Sequence, residues 1–128
     1  MSTQKQKPAR SEAAPTTVNE VRLVGRVSQQ PEERVLPSGD VVWTFRVVVP
    51  RPTSHISKQS VDALECAAWS ARARRSVRSW ARDDVVEVVG SVRRRFFRAG
   101  GAAASRVEVE MTSGRVVRRA ATRLEGSG

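Results

Sequence analysis

Runs of β-branched residues, separated by Pro, Gly and Ser, recur at short intervals over residues 19–118. This pattern is typical of a domain that is built from strands. It predicts five strands, at 21–27, 41–49, 61–69, 85–97 and 105–111. The last is the clearest half-buried strand, because apolar and charged residues alternate strictly in RVEVEM at 106–111.

One further segment has the periodicity of a helix. Ser70 is suited to the N-cap position. In the residues that follow, Ala73, Val77 and Trp80 lie on one side at helical spacing. The opposite side is predicted to be a solvated face, and it carries Arg72, Arg75, Arg78 and Arg82. The acidic pair at 83–84 ends the helix, and we expect it to lie in a solvated turn.

The order of these elements predicts the fold. Three strands, a helix and two more strands, with Gly25 inside the first strand and Gly90 inside the fourth, is the order of an OB-fold. The predicted fold class is therefore all-β, a five-stranded OB-fold Greek-key barrel with one short helix between strands 3 and 4. Gly25 also indicates a bend or a close approach of two backbones.

The predicted domain occupies residues 19–118. Residues 1–18 are polar and contain no aromatic residue, so they cannot bury enough surface to offset the entropy of ordering. We expect a disordered N-terminal tail there, and a short flexible end at 119–128.

The chain is strongly basic. Its 128 residues include 23 Lys+Arg and 13 Asp+Glu, a net charge of +10, of which +8 lies in residues 19–128. Positive charge on the folded part favours a polyanion as the partner, and nucleic acid first. All basic residues except Lys5, Lys7 and Lys58 are arginines, whose planar guanidinium binds phosphate and stacks on bases.

Other classes of function lack the residues that they need. Cys66 and His55 are the sole cysteine and histidine, which leaves no disulfide and no zinc cluster. Phosphate-binding loops and GxSxG motifs are also absent. We therefore expect no enzyme activity, metal or cofactor, and Cys66 as an inert core residue. Without an apolar stretch of about 18 residues or a signal peptide, we expect no membrane partner and a cytoplasmic, nucleoid-associated location.

The segment 19–49 resembles the opening of bacterial single-stranded DNA-binding proteins. That family typically reads Asn-x-Val-x-Leu-x-Gly, then Pro-Glu-x-Arg, then Pro-Ser/Asn-Gly. The matching residues here, in order, are Asn19, Val21, Leu23, Gly25, Pro31, Glu32, Arg34, Pro37, Ser38 and Gly39. The segments 61–70 and 85–97 resemble the family's third strand and its Val-x-Val-x-Gly-x-Leu-x-x-Arg strand. The resemblance covers residues 19–118 and implies an OB-fold that binds single-stranded DNA.

The chain also departs from this family. The family's stacking aromatics correspond here to Thr53, Ala63, Trp69 and Phe97, so two of these positions keep a ring. Replicative members end in a flexible tail with an acidic tip, whereas this sequence ends in LEGSG. The resemblance therefore implies a short paralogue without the acidic C-terminal tail.

The predicted binding surface combines arginines for phosphates with rings for bases, as sequence-tolerant binding of a single strand requires. One of the adjacent rings Phe96 and Phe97 is expected to enter the core, because neighbouring strand residues face opposite sides. Phe97 is expected to stack, with an apolar barrel edge as the alternative. Trp69 suits either stacking or the core, while Trp43 favours the core but would also replace part of the missing stacking surface. The residues predicted to contact DNA are Trp43, Arg46, Arg51, Trp69, Arg72, Arg93, Arg95, Phe97 and Arg98.

We therefore expect a protein that binds single-stranded DNA and protects it in replication, repair or recombination. Two alternatives stay open: a degenerate paralogue that acts mainly as an assembly partner of a full-length homologue, and an RNA-binding OB module. We also expect a homo-oligomer, either the tetramer that the resemblance implies or a dimer. The physical reason is that the first strand, at 21–27, is free to pair with its copy.

Overall fold

The computed structural model describes residues 16–52 and 60–121. All five predicted strands and the helix are present, and one short strand is added. The elements are β1 (Val21–Val27), β2 (Glu32–Val35), β3 (Val41–Pro50), β4 (Val61–Ala68), α1 (Ala71–Arg78), β5 (Val85–Ala99) and β6 (Ala102–Arg118). Most of the predicted tail, the loop residues Thr53 and His55, and residues 122–128 lie outside the described residues.

The strands close into a barrel. They pair in the order β1–β5–β6–β4–β3, and β3 pairs again with β1 at Arg26–Val48 and Val27–Val47 to complete the ring. The β4–β6 pair is parallel, and the others are antiparallel. With α1 between β4 and β5, this is the five-stranded barrel of an OB-fold, so the predicted fold class is confirmed.

The short strand β2 was not predicted. Its residues, EERV at 32–35, are all exposed and mostly charged, so they carry no hydrophobic pattern. β2 pairs with the first half of β3, from Glu32–Thr44 to Val35–Val41, whereas β1 pairs only with the second half. β2 therefore lies beside the half of β3 that β1 does not reach, and the closed barrel still has five strands.

Two glycines allow neighbouring strands to approach more closely than a side chain would permit. A Cβ atom at Gly25 would overlap the carbonyl oxygen of Val48 on β3, which confirms the predicted close approach. A Cβ atom at Gly90 would overlap the carbonyl oxygen of Glu110 on β6. The register of β5 against β6 also shifts between Val89 and Gly90, and such irregularities bend a strand.

The hydrophobic core fills the barrel and continues under α1. Ala73, Val77 and Trp80 are all buried, as predicted. The Trp80 ring meets Phe45 of β3 edge-on, with the ring centroids 5.3 Å apart. The helix thus closes one end of the barrel with the apolar side that its periodicity defined.

Both ends of α1 are capped by serines. The Oγ atom of Ser70 accepts a hydrogen bond from the backbone N–H of Ala73 at 3.1 Å, so the predicted N-cap is confirmed. At the other end the helix stops at Arg78, with Ser79 as the C-cap, earlier than the sequence pattern predicted. The chain turns there and places Trp80 in the core.

β5 and β6 form a hairpin that is longer than predicted. Its turn is Gly100–Gly101, and both glycines have positive φ. The alanines at 102–104 therefore belong to β6, where they pair with 97–99, and do not form a loop. β6 also continues past the predicted end, to Arg118.

The far half of this hairpin projects beyond the core. β1 pairs with β5 no further than Gly90, and β4 pairs with β6 no nearer the turn than Val109. Both rings of the adjacent phenylalanines are consequently exposed, Phe96 by 77% and Phe97 by 42%. The prediction that one of the two rings enters the core is wrong for this reason. The alternation predicted in β6 likewise fails at Val107, which is exposed.

Asp84 is buried, with 2% of its surface exposed, which contradicts the solvated turn predicted for this acidic pair. Its Oδ2 accepts hydrogen bonds from the Ala81 N–H and from Nη1 of Arg119, both at 2.9 Å. Its Oδ1 accepts one from the Ala120 N–H at 2.9 Å. Desolvation acts to raise the pKa of Asp84, but these bonds and the charge of Arg119 together lower it. The carboxylate fastens the end of β6 to the turn after α1.

The variant Asp84→Asn should be less stable at neutral pH by about 1–3 kcal/mol, because the amide nitrogen of Asn accepts no hydrogen bond and leaves the backbone N–H of Ala81 or Ala120 without its acceptor. Folding lowers the pKa of Asp84. Its contribution to the free energy of unfolding is therefore complete above the ordinary pKa of 3.8, and it is lost as the pH falls through the pKa of the folded state. Urea unfolding near neutral pH and at a series of pH values below about 4 measures both effects. A variant as stable as the wild type at neutral pH would contradict this role.

Candidate nucleic-acid interface

β3, β4, β6 and β5 turn a common side away from the core. Phe45, Cys66 and Val109 are buried on these strands, so the residues adjacent to them point outward. The register agrees, since Arg46 lies opposite Glu65. We call this side the outer face, and its charged and aromatic members are Arg46, Glu65, Trp69, Arg93, Arg95, Phe97, Arg106, Glu108 and Glu110.

Two arginines lie against aromatic rings on the outer face. The guanidinium carbon of Arg95 is 5.4 Å from the centre of the Trp69 ring. That of Arg106 is 5.6 Å from the centre of the Phe97 ring. Both distances are within the range of cation–π contacts. Each pair places a positive charge beside an aromatic surface, which is the combination that binds the phosphate and the base of a single strand.

Trp69 lies at the junction between β4 and α1. Its side chain is not part of the hydrophobic core cluster. Its indole Nε1 is buried and has no hydrogen-bond partner among the described residues. Its carbonyl oxygen accepts a hydrogen bond from Nε of Arg74 at 3.1 Å. The outer face therefore ends at Trp69, whose backbone carbonyl is hydrogen-bonded to α1.

Two carboxylates of β6 hold the arginines of β5. Nε of Arg95 donates to Oε2 of Glu108 at 2.8 Å, and its Nη2 donates to Oε1 of Glu110 at 3.2 Å. Nε of Arg93 donates to the same oxygen of Glu110 at 3.1 Å. Glu108 is buried although it points outward, because arginine side chains cover it. A phosphate that reaches Arg93 or Arg95 must compete with these carboxylates.

The predicted arginines at β3 are paired in the same way. Nε of Arg46 donates to Oε2 of Glu65 at 2.7 Å. Arg51 donates from Nε and Nη2 to Oδ1 of Asp62 at 2.9 and 2.8 Å. The hydrogen bond with Asp62 raises the pKa of Arg51. Exposed pairs of this kind contribute little stability, so exchange of the carboxylate for a phosphate costs little.

The structure brings part of the predicted binding set together. The outer face holds Arg46, Trp69, Arg93, Arg95 and Phe97. The other predicted residues lie apart from it: Trp43 half-buried against the core, Arg51 at the end of β3, Arg72 on α1, and Arg98 at the hairpin turn, where it donates to the Gly101 carbonyl at 3.1 Å.

Sequence analysis missed three members of the outer face, Arg106, Glu108 and Glu110. The alternation in β6 already placed them on one side of a strand. It could not show what they contact, because that depends on the register of β6 against β5. At one of the positions where the family has a further aromatic ring, this chain has Ala63, and this residue is exposed.

Cys66 is buried, as expected, and the loss of solvent raises the pKa of its thiol to about 12. Within 16–52 and 60–121, no group of three or more His, Cys, Asp or Glu residues could hold a metal ion. The helix that the described residues form is too short and not apolar enough to cross a membrane.

The closed barrel, with an arginine-rich and aromatic outer face on one wall, defines an OB-fold protein, and oligonucleotides are among the ligands that other OB-folds bind. Residues 18–118 match the model of the single-strand binding protein family. The chain belongs to this family, so the resemblance seen in the sequence is confirmed.

Curated relatives are similar over part of their length. Single-stranded DNA-binding protein 3 of Listeria innocua is 40% identical over 53 residues, which are 41% of this chain and 33% of the relative. The single-stranded DNA-binding protein of Oceanobacillus iheyensis is 31% identical over 81 residues, 62% of this chain and 50% of the relative. The chain thus spans between a third and a half of the curated relatives that it matches.

A solved structure shares the fold. The structure of the Plasmodium falciparum SSB complex with ssDNA aligns with a TM-score of 0.65 and 18% sequence identity. The alignment covers 82% of this chain and 97% of that one. Nearly all of that chain is therefore matched by the barrel described above.

Proposed function

We propose that this protein binds single-stranded DNA with little sequence preference and without enzymatic activity, and that it protects such DNA in replication, repair or recombination. The observation that carries the proposal is the pairing of Trp69 with Arg95 and of Phe97 with Arg106 on one face. Every base offers a ring face for stacking, and every nucleotide offers a phosphate. A surface that recognises only ring faces and phosphates therefore binds DNA with little sequence preference.

The family supports the same substrate. The matching relatives of Listeria innocua and Oceanobacillus iheyensis are single-stranded DNA-binding proteins by name. On the outer face, Arg93, Arg95 and Arg46 would follow the phosphates while the two rings stack on bases. The partner that we propose is therefore single-stranded DNA.

Titration with oligo(dT), oligo(rU) and duplex of equal length, followed by tryptophan fluorescence, tests this function. Trp69 reports on binding because its ring lies on the outer face. We expect oligo(dT) to bind and the duplex to bind far more weakly. With four or five arginines engaged, log K should fall with log salt at a slope of about −3. A slope near zero or a preference for duplex would refute the proposal, and a clear preference for oligo(rU) would make RNA the substrate.

The two adjacent phenylalanines provide a matched pair of variants. Phe97→Ala should weaken oligo(dT) binding by about 1–3 kcal/mol, because it removes a stacking surface. Phe96→Ala removes an equal ring that is more exposed but lies on the opposite side of β5, so it should leave binding nearly unchanged. Fluorescence titration measures both, and thermal melting confirms that both fold. Equal losses in the two variants would contradict the assignment of the outer face as the DNA site.

Removing the competing carboxylate should strengthen binding. In Glu110→Gln, Arg93 loses its partner and Arg95 keeps only Glu108. We expect affinity for oligo(dT) to rise about 2- to 5-fold at low salt, the size of one exposed ion pair. The slope against salt should steepen by about 0.7 for the arginine that is released. The same titration at several salt concentrations measures both quantities.

The control for this variant is Glu33→Gln. It changes the net charge equally, at an exposed residue of β2 that lies away from the outer face. If both variants bind equally well, the gain comes from net charge alone and Glu110 does not compete with phosphate.

We propose in addition that the protein is a homotetramer that assembles through β1. β1 pairs with β5 on one edge, and on the other edge it pairs with β3 only at Arg26 and Val27. The segment 21–25 thus offers an edge to a second copy. Arg22 and Arg26 would approach their copies in such a pair, but Glu87 and Asp83 neutralise them. Light scattering at moderate salt tests this, and a monomeric or dimeric mass would contradict the tetramer.

A further inference from the structure

α1 and the turn that follows it carry arginines that the rest of the fold leaves unpaired. Arg72, Arg75, Arg78 and Arg82 are all exposed. Within residues 16–52 and 60–121, none of the four forms an ion pair. This differs from the outer face, where carboxylates hold the arginines. We call these four residues the helix arginines.

The spacing of the helix arginines along α1, and the place of Arg72 in its first turn, are unfavourable for the helix. Arg72 and Arg75, and likewise Arg75 and Arg78, are three positions apart, where like charges on a helix surface repel each other. Arg75 and Arg78 lie in the last turn, where the helix dipole favours positive charge. Arg72 lies in the first turn, where the dipole opposes it, and no acidic residue is present there to compensate. Neither capping nor packing explains this cluster.

The position of α1 connects these charges to the proposed DNA site. Ser70, the N-cap, directly follows Trp69, and Arg74 of the helix donates a hydrogen bond to the Trp69 carbonyl at 3.1 Å. The backbone of Trp69 is therefore bonded to the first turn of α1. Arg72 follows Trp69 by three residues and lines a depression with Glu87 of β5 and Arg115 of β6, so the helix arginines begin close to the end of the outer face.

The chemistry of this surface favours phosphate over a protein partner. The exposed residues of 71–82 are arginines, alanines and a serine, and its large apolar residues, Val77 and Trp80, are buried. Protein interfaces depend on buried aromatic and aliphatic anchors at their centre, which this face lacks. A row of guanidinium groups without carboxylates is what a phosphate backbone binds best.

We propose that the helix arginines form a second phosphate-binding surface, which takes the backbone of the same single strand after it leaves the outer face at Trp69. This proposal rests on the proposed function. It predicts that short strands use the outer face alone, whereas longer strands gain contacts on α1.

The test is the salt dependence of binding for oligo(dT) of graded length, from about 6 to about 35 nucleotides. The double variant Arg75→Gln/Arg78→Gln should lose two phosphate contacts, but only with strands that are long enough to reach α1. For long oligo(dT) the slope of log K against log salt should become shallower by about 1.4, so the affinity lost between 50 and 200 mM salt is about 7-fold smaller than for the wild type. For the shortest strands the slope should not change.

The control is Arg118→Glu, which changes the net charge by the same amount. Arg118 is exposed at the end of β6 and lines a different depression, with Val24, Val48 and Val61. It should behave as the wild type at every length. Thermal melting confirms that each variant folds.

The outcomes separate this proposal from the proposed function. If the wild type fails to bind even short oligo(dT), the proposed function fails. If the wild type binds but the double variant matches it at all lengths, or loses short and long strands equally, the second surface is refuted. If the double variant instead loses binding of duplex DNA or of poly-glutamate while its binding of oligo(dT) is unchanged, the helix arginines serve another partner and the proposal is overturned.

Discussion

β5 and β6 approach each other closely at Gly90, and the positions of both the core residues and the outer-face residues follow from this contact. A side chain there would overlap the Glu110 carbonyl oxygen, and the register shifts at this point. Because the side-chain period of a strand is two, a change of register by one residue would exchange the faces of the hairpin. β6 has one extra residue at this shift, between the partners of Val89 and Gly90, and the shift therefore places Glu108 and Glu110 on the same side as Arg93, Arg95 and Phe97. The same hairpin lines the barrel with Val86 and Val88, so fold and site share one register.

Positive charge is distributed in two ways over this surface. On the outer face, Glu108 and Glu110 hold Arg93 and Arg95 in fixed positions. Such pairs pre-organise the guanidinium groups and lower the net charge that a phosphate meets. On α1 the arginines have like-charged neighbours, and within the described residues none of them forms an ion pair. Single-stranded DNA that crosses both regions would first meet the ordered, partly neutralised arginines of the outer face. It would then meet the helix arginines, and its phosphates would relieve their mutual repulsion.

The family's other ring positions shape the same surface. Ala63 is exposed and has no ring, and Trp43 packs against the core. The described outer face therefore offers two rings, Trp69 and Phe97, and each has a guanidinium within cation–π range.

Most elements could be predicted from the sequence, because hydrophobic periodicity, capping and glycine placement are local properties. Five of the six strands, the Ser70 cap, the apolar side of α1 and the order of these elements along the chain were predicted in this way. Contacts between residues that are far apart in the chain could not be predicted in the same way. Asp84 is buried because Arg119 and Ala120 reach it from β6, and Phe96 is exposed because neither β1 nor β4 extends along the hairpin. The partners of each arginine likewise follow from the β5–β6 register, since ion pairs form across strands that are far apart in the chain.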